Sequence, residues 1–225
     1  LSAHGQRVCN SVDARNDPKN LNVLRGCSIV QGYVRIVLID KANSTDYDDY
    51  AFPELREITQ YLMFYRISGL RNITQLFPNL SLIRGDSTFE DYSLIIYEAF
   101  HLELVGLKSL VDIWRGSVRI EKNPRLCYLQ TIDWDRIAKW DSLKNYIENN
   151  HQPSGCPSRK VCEEAKCQES LCWSNTDCQL QLQEVEGCHP LCVGGCSGPG
   201  PKDCYSCRKV LTLDGECVSA CPSGT

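Results

Sequence analysis

The residues best able to do chemistry are cysteines and a histidine near the C-terminal end. The 225-residue chain has 15 cysteines, and twelve of them follow residue 155. Cys204 and Cys207 have the C-x-x-C spacing of a zinc-ligand pair, with His189 nearby. The interval from Cys207 to Cys217 is short for the second half of a zinc ribbon, and cysteines in this number are typical of an oxidising compartment. The pattern therefore favours structural disulfides over a metal site, and we expect no cofactor.

The sequence offers little catalytic machinery. It has no G-x-S-x-G nucleophile motif, and its four histidines lie in unrelated contexts. The densest acidic run is Asp46, Asp48 and Asp49, and solenoid polysaccharide lyases use such clusters with a cation. This run lies beside a glycosylation sequon, where a solvated loop is the expected structure. We therefore predict that the chain is not an enzyme, with a carbohydrate-active solenoid as a remote alternative.

Three N-glycosylation sequons begin at Asn43, Asn72 and Asn79, and we predict glycans there. Together with the cysteines, the sequons indicate an extracellular protein. The net charge is −4 with both signs interspersed, so we expect neither nucleic acid nor an anionic membrane surface as a partner. No apolar run approaches the roughly 20 residues that span a bilayer, and the first residues lack a signal-peptide core. We expect a mature chain, whose membrane anchor, if it has one, lies outside these residues.

The uneven distribution of cysteines predicts two domains. The first 155 residues contain only Cys9, Cys27 and Cys127 and can build a hydrophobic core. The remainder has few aliphatic residues and needs covalent cross-links instead. Each bridge that closes ten to fifteen residues contributes roughly 2 to 3 kcal/mol through the unfolded state. We place the first domain at residues 1–156 and the second at residues 157–225.

The first domain contains an imperfect internal repeat of seven residues. Its copies are residues 52–58, 77–83 and, in divergent form, 107–113. A β-rich run follows each copy, and one more run precedes the first. These runs are residues 33–39, 61–67, 93–97 and 117–121. Repeats of this period with one strand each predict a mainly β fold, a leucine-rich-repeat-like right-handed β-solenoid followed by a disulfide-rich rod.

Strands of such a solenoid should alternate between the core and the outer surface. Val118 and Ile120 should then point inward, while Arg119 and Glu121 point outward. The residues with the same outward parity on the other runs are Arg35, Val37, Tyr65, Ile95 and Tyr97. An exposed sheet that mixes aromatic, aliphatic and charged side chains indicates a protein-binding site, unless another domain covers it.

Two short helices are also predicted. Asp17 and Pro18 form a good N-cap and first turn, with Leu21 and Leu24 on one face and Gly26 at the end. Asp133 should cap a second helix that carries Trp134 and Ile137. Because Cys9 and Cys27 flank the first helix, a bridge between them would close this end of the solenoid.

Four segments in order resemble the insulin and insulin-like growth factor receptor family. They are residues 12–16 (VDARN), 76–85 (LFPNLSLIRG), 115–123 (RGSVRIEKN), and 126–128 with 131–134 (LCY and TIDW). The first domain resembles the L1 domain of that family and the second its furin-like cysteine-rich region. The epidermal growth factor receptor family shares this architecture, but residues 115–123 are more similar to insulin receptors.

The resemblance also implies the pairing of fourteen cysteines. The pairs are Cys9 with Cys27, Cys127 with Cys156, Cys162 with Cys172, Cys167 with Cys178, Cys188 with Cys196, Cys192 with Cys204, and Cys207 with Cys217. It places the partner of the remaining Cys221 downstream of Thr225. The family has two further cysteine pairs where this chain has only residues 179–187, which are either shortened or incomplete.

Members of the family bind hormone on the sheet face of L1, and the resemblance implies the positions that take part. They are Asp13, Arg15, Asn16, Arg35, Val37, Leu38, Tyr65, Phe89, Tyr92, Ile95, Tyr97, Arg119 and Glu121. Strict alternation puts Leu38 inside, so a kink is needed to bring it to the face. Arg35 stands where the family has a neutral polar residue, and Asp40 and Glu90 stand where it has aromatic ones, so the face should be more charged than usual.

The implied partner is an insulin-like peptide hormone, joined by a receptor C-terminal segment or a second protomer. Two interpretations share this binding face. The chain is either the ligand-binding part of a transmembrane receptor, whose tyrosine kinase lies outside it, or a secreted decoy that sequesters the hormone and antagonises insulin signalling.

Overall fold

The computed structural model describes residues 6–140, 142–180 and 186–221. The fold is mainly β, as predicted, and a nine-stranded parallel sheet is its largest element. The strands of this sheet are β1 (Val8–Arg15), β2 (Ile29–Ile39), β3 (Glu57–Ile58), β4 (Leu62–Ile67), β5 (Leu82–Ile83), β6 (Tyr92–Ala99), β7 (Asp112–Ile113), β8 (Ser117–Glu121) and β9 (Tyr146–Glu148). Two antiparallel hairpins follow, β10 (Cys192–Cys196) with β11 (Cys204–Cys207) and β12 (Val210–Leu211) with β13 (Cys217–Val218).

The large sheet consists of two strips joined through β2. We call β1, β2, β4, β6, β8 and β9, in this spatial order, the long strip. The short strip comprises β3, β5 and β7, and β3 pairs with the first two residues of β2. Between the two pairing segments of β2 lies Gly32, whose φ of +142° and close contact with Ser11 leave no room for a side chain.

The sequence repeats account for the short strip and for much of the core. Each seven-residue copy ends in one short-strip strand, and the isoleucines that close the copies, Ile58, Ile83 and Ile113, lie in register. All three are buried in the main hydrophobic core. On the long strip, Val118 and Ile120 are also in this core, which confirms the predicted alternation. Apolar residues therefore fill the space between the strips and the connecting segments.

A column of left-handed residues runs across the long strip and interrupts the alternation. Its members are Asn16, Leu38, Arg66, Glu98, Lys122 and Asn149, with φ between 52° and 67°. Each follows a residue of one register row, Arg15–Val37–Tyr65–Tyr97–Glu121–Glu148. Two consecutive side chains of each strand therefore stay on the outer side before the chain turns back to the core at positions such as Ile39 and Ile67.

Asparagine side chains satisfy the backbone next to this column. Asn123, which follows Lys122, donates through Nδ2 to Ile96 O at 3.0 Å and accepts from Ala99 N at 2.8 Å. Asn150 repeats the arrangement one strand further on, donating to Ile120 O at 2.9 Å. Since buried backbone groups without partners cost free energy, these amides stabilise the interruption.

Short helices cap and connect the strands. The α-helices are α1 (Ile73–Leu76), α2 (Trp134–Ile137) and α3 (Lys160–Glu164), and the 3-10 helices are Pro18–Leu24, Ser44–Tyr47, Leu129–Thr131, Ser142–Lys144, Pro153–Gly155 and Gln168–Ser170. Both predicted caps are present. Asp17 accepts from Lys19 N at 2.9 Å, and Asp133 accepts from Arg136 N at 3.0 Å. Asp46 of the acidic run similarly accepts from Asn43 N at 2.7 Å.

The described part of the chain contains seven disulfides, the same pairs that the resemblance implies. They are Cys9–Cys27, Cys127–Cys156, Cys162–Cys172, Cys167–Cys178, Cys188–Cys196, Cys192–Cys204 and Cys207–Cys217. Cys221 is unpaired and exposed. Of the segment where the chain departs from the family, residues 181–185 lie outside the described residues.

The cysteine-rich segment, which comprises the described residues after 156, packs against the end of the core and the outer surface of the short strip. Near α2, Trp173 meets the ring of Trp134 edge-on at a centroid distance of 5.5 Å. On the short strip, Val193 of β10 forms a buried cluster with Leu82 and Val111. Arg84 is paired with Glu57 in the interior and also donates to Cys207 O at 2.9 Å. The chain itself thus occupies the outer surface of the short strip.

Candidate binding face

The outer surface of the long strip forms a shallow groove that brings together most of the predicted site residues. The groove is lined by Arg15, Arg35, Val37, Leu38, Met63, Tyr65, Phe89, Glu90, Tyr92, Ile95, Tyr97 and Arg119. Of the predicted residues, Asp13, Asn16 and Glu121 lie beside the groove without lining it. Asp13 and Glu121 contact its arginines, whereas Asn16 is an exposed member of the left-handed column.

The floor of the groove is apolar and more buried than the alternation suggested. We expected Val37 and Ile95 to be exposed, but only 5% and 4% of their surfaces reach solvent. They do lie on the outer side, in a cluster with Tyr61 and Met63 that is separate from the main core. The discrepancy arises because neighbouring strands are about 4.8 Å apart, so long side chains in the next strand cover short ones.

Leu38 reaches the groove through the left-handed column. Its φ of +56° turns it to the same side as Val37, where it packs against the outer cluster. The conflict between strict alternation and the family position is resolved by this local kink. Ile39 then returns to the main core.

Aromatic rings border the floor on both sides. Tyr65 and Tyr97 stack with their centroids 5.4 Å apart. On the other side Tyr33 stacks on Tyr61 at 5.3 Å, and Phe89 lies 6.0 Å from Tyr61. Tyr65 and Phe89 remain 37% and 39% exposed. Exposed rings next to a buried apolar floor give a partner large surfaces to bury at a low cost in side-chain entropy.

A cluster of charged side chains around Arg119 closes the groove at β8. Arg119 donates to Glu121 at 2.9 Å and lies 3.8 Å from Glu90. Its guanidinium also lies 5.7 Å from the ring centres of Tyr92 and Tyr97. The hydrogen bond that Arg119 donates to Glu121 raises the pKa of Arg119, so this cation stays charged at any physiological pH.

A second cluster of charged side chains, around Asp13, closes the groove at β1 and β2. Arg15 donates to Asp13 at 3.0 Å, and this bond raises the pKa of Arg15. Arg35 lies further into the groove, 4.0 Å from Asp13, and donates to the hydroxyl of Tyr61. Burial raises the pKa of Tyr61, which therefore stays neutral and able to accept.

Three residues of the outer cluster were missed by the sequence interpretation. Tyr33, Tyr61 and Met63 belong to it. Each has the outward parity already assigned to Arg35 or Tyr65, so extending the alternation two or four residues back along each strand would have found them.

One group of possible metal ligands lies close together within the described residues. It consists of Cys127, His151 and Cys156. Both sulfur atoms are joined in a disulfide, and His151 Nδ1 is 2.8 Å from Pro124 O. A disulfide sulfur is not the thiolate that binds a metal, so this group has a structural role.

The predicted glycosylation sites lie in the connections between the strips. Asn43 and Asn72 precede the Ser44–Tyr47 helix and α1, and Asn72 accepts from Thr74 N at 2.9 Å. Asn79 precedes β5 and donates to Pro53 O at 2.8 Å. None of the three lines the groove.

No helix within residues 6–140, 142–180 and 186–221 has the length and apolarity required to cross a bilayer.

Comparison with known proteins identifies both parts of the chain. The family model for the receptor L domain matches residues 26–138, and that for the furin-like cysteine-rich region matches residues 144–225. Neither is a catalytic domain. The matched regions and the disulfides define an extracellular part of a receptor.

Three relatives are similar over nearly the whole chain. An insulin-like peptide receptor of Branchiostoma lanceolatum is 43% identical over 97% of this chain and 17% of that protein. The insulin-like growth factor 1 receptor of Xenopus laevis is 38% identical over 100% of the chain, and the insulin receptor of the same species is 38% identical over 97%; each match covers 18% of the relative. The chain belongs to the insulin receptor family. It spans less than a fifth of the length of these curated relatives.

Proposed function

We propose that this chain binds an insulin-like peptide hormone on the outer surface of the long strip. The observation that carries the proposal is the difference in cover between the two strips. The cysteine-rich segment lies over the short strip, whereas the groove of the long strip keeps an apolar floor, exposed rings and charged ends. Relatives of this chain include proteins named as receptors for insulin-like peptides and insulin-like growth factor 1.

The mode of binding that we infer is non-catalytic docking of helices. In the family, a hormone helix and an attached receptor segment dock together on this face. Here Tyr65, Phe89, Tyr92 and Tyr97 would anchor them, because aromatic side chains at the centre of an interface supply most of its free energy. Arg119 and Glu121 would fix orientation more than affinity.

Calorimetric titration with a panel of insulin-like peptides tests this proposal. We first identify a peptide that the wild-type chain binds. Tyr97→Ala and Phe89→Ala should each weaken the binding free energy of that peptide by about 2 kcal/mol or more, as for anchor residues. Phe100→Ala is a matched control, because Phe100 is 38% exposed, like Phe89, but lies beyond the end of β6 and outside the groove. Unchanged affinity in both groove variants would reject the site, and a panel without any bound peptide would reject the function.

The architecture that we infer is a leucine-rich-repeat-like right-handed β-solenoid at residues 1–156 and a furin-like rod at residues 157–225. The parallel register between successive repeats supports the solenoid. We further propose glycans on Asn43, Asn72 and Asn79, which mass spectrometry of the secreted chain would detect. In this arrangement the glycans lie on the connections and leave the groove accessible.

The same groove serves a transmembrane receptor or a secreted decoy. Arg35 and Glu90 line the groove and depart from the residue types that the resemblance implies, and this departure favours a divergent, decoy-like member. Sequencing the transcript beyond Thr225 separates the two, because a membrane span followed by a kinase excludes the decoy. A second protomer or a C-terminal receptor segment would complete the site in the receptor case.

A further inference from the structure

Arg35 lies inside the groove and is surrounded by aromatic rings. Its guanidinium carbon is 4.3 Å from the ring centre of Tyr33, 5.3 Å from that of Tyr61 and 5.9 Å from that of Phe89. These rings fix the cation and shield it from water, so that 28% of its side chain is exposed. A guanidinium held in this way is preorganised for a planar partner, since little further entropy is lost on binding.

The carboxylates near the groove are engaged mainly by other arginines. Arg15 donates to both oxygens of Asp13, at 3.3 and 3.0 Å. Arg119 donates twice to Glu121, at 3.3 and 2.9 Å. Arg35 approaches Asp13 only to 4.0 Å, which is beyond hydrogen-bonding distance. Of the three groove arginines, Arg35 is thus the one without a hydrogen-bonded carboxylate.

The donors of Arg35 are also incompletely used. Nη2 donates to the hydroxyl of Tyr61, but the buried Nε has no hydrogen-bond partner among the described residues. Because Nε is covered by the protein, an incoming acceptor would approach the Nη atoms, of which Nη1 lies 4.0 Å from Asp13 without a hydrogen bond among the described residues. A carboxylate is the acceptor that matches two guanidinium N–H groups at once.

We propose that Arg35 is the specificity-determining cation of this face and binds a carboxylate of the peptide helix seated in the groove. Charge complementarity selects the occupant, which is an amphipathic helix with an acidic group next to its apolar anchors. The carboxylate comes from an aspartate or glutamate side chain or from the C-terminus of the peptide. The inference rests on the proposed function for its site, but it does not depend on which hormone binds.

A displayed library of amphipathic helical peptides tests the inference. The library is selected on the wild-type chain and, in parallel, on Arg35→Glu, and clones that lose binding to Tyr97→Ala are kept as groove binders. We expect these clones to be enriched in aspartate or glutamate on the wild-type chain and in lysine or arginine on Arg35→Glu. Recovery of groove binders without acidic enrichment, or of no groove binder at all, overturns the proposal.

Calorimetry on one enriched peptide then locates the contact. Arg35→Gln should lower the affinity for this peptide about ten- to hundred-fold, as for the loss of a hydrogen bond between charged groups. Replacing the acidic side chain of the peptide by its amide, or amidating its C-terminus, identifies the source of the carboxylate. Whichever change weakens wild-type binding should have little effect on Arg35→Gln, because the two groups act as a pair.

Arg71→Gln is a matched control for general loss of positive charge. Among the described residues Arg71 has one ion-pair partner, Glu103, at 4.0 Å, the same distance as Arg35 to Asp13, but it does not line the groove. We expect the affinity of the Arg71→Gln variant for the enriched peptide to stay within about two-fold of wild type, as for surface charges that are screened by salt. Equal loss in both variants would reduce the effect to net charge and overturn a specific role. If no insulin-like peptide binds while the library result holds, the hormone proposal fails and the role of Arg35 stands.

Discussion

The two strips of the sheet differ in what their outward side chains contact. On the short strip Arg84 and Glu57 are paired with about a tenth or less of each side chain exposed, and Val193 covers Leu82. On the long strip Arg15 is paired with Asp13, while half of the Arg15 side chain and about a third of the Asp13 side chain stay in solvent. Both strips are built by the same repeats. A repeat therefore supplies two outer surfaces, one that holds the cysteine-rich segment and one that is available to a partner.

The comparison shows where charge is structural and where it is suited to binding. A buried pair that loses one member leaves the other charge without water or partner, whereas a half-exposed pair loses little. The short strip should therefore dominate stability, and the long strip should dominate recognition. Three measurements test this division, in order of decreasing expected effect.

The largest effect is expected from breaking the buried pair. Arg84→Ala should lower the free energy of unfolding by about 3 to 5 kcal/mol, because Glu57 would remain buried and uncompensated. Arg15→Ala should leave the free energy of unfolding nearly unchanged, because both members of its pair with Asp13 are partly solvated. Urea titrations with the disulfides intact measure both values. Combining Arg84→Met with Glu57→Leu should restore part of the loss, and equal costs at Arg84 and Arg15 would contradict the division.

The second effect concerns the left-handed column, a feature of the long strip that β3, β5 and β7 lack. At Lys122, with φ +59°, glycine should be more stable than valine by about 1 to 3 kcal/mol, because a β-branched residue is strained in this region. At the neighbouring exposed Glu148 of β9 the order should reverse, since valine favours strands over glycine. Thermal unfolding of the four variants tests this, and the same order at both positions would exclude backbone strain.

The smallest effect is a pH dependence on the short strip. Burial raises the pKa of Asp112 in the folded chain above its ordinary value. The folded state then binds the proton more tightly than the unfolded state, so the stabilising contribution is fully present below the unfolded pKa of about 4 and is lost as pH rises through the folded value. Asp112→Asn should flatten this part of the stability profile. A profile identical to wild type between pH 3 and 7 would show that Asp112 does not titrate differently on folding.

The strands and their outward parity could be predicted because alternation is clear in β8 and could be carried to β4 and β6 through the repeat. The short strip was harder to recognise as a sheet, since strands of two residues such as Leu82–Ile83 carry no alternation. The repeats nevertheless located the positions. The left-handed column left little signal, because no member is glycine and only Asn16 and Asn149 are of a type that favours this region. Leu38 could be placed only by resemblance, not by residue type.

The environment of Arg35 also lay beyond sequence reasoning. Phe89 precedes β6 and approaches Tyr61, the residue just before β4, through a loop whose path the sequence does not specify. The position of the cysteine-rich segment on the short strip likewise depends on contacts distant in sequence, such as Arg84 with Cys207. Long-range packing decides both, and local patterns do not report it.

The parallel register of the long strip limits how a straight α-helix bound across the strands can match their side chains. Equivalent side chains recur about every 4.8 Å from strand to strand, whereas a helix lying across them repeats every 5.4 Å. The two periods diverge by about 0.6 Å per step and are half a strand spacing apart after about four strands. An occupant that crosses all six strands must therefore bend, tilt or be made of two pieces, each matched to its own end of the groove.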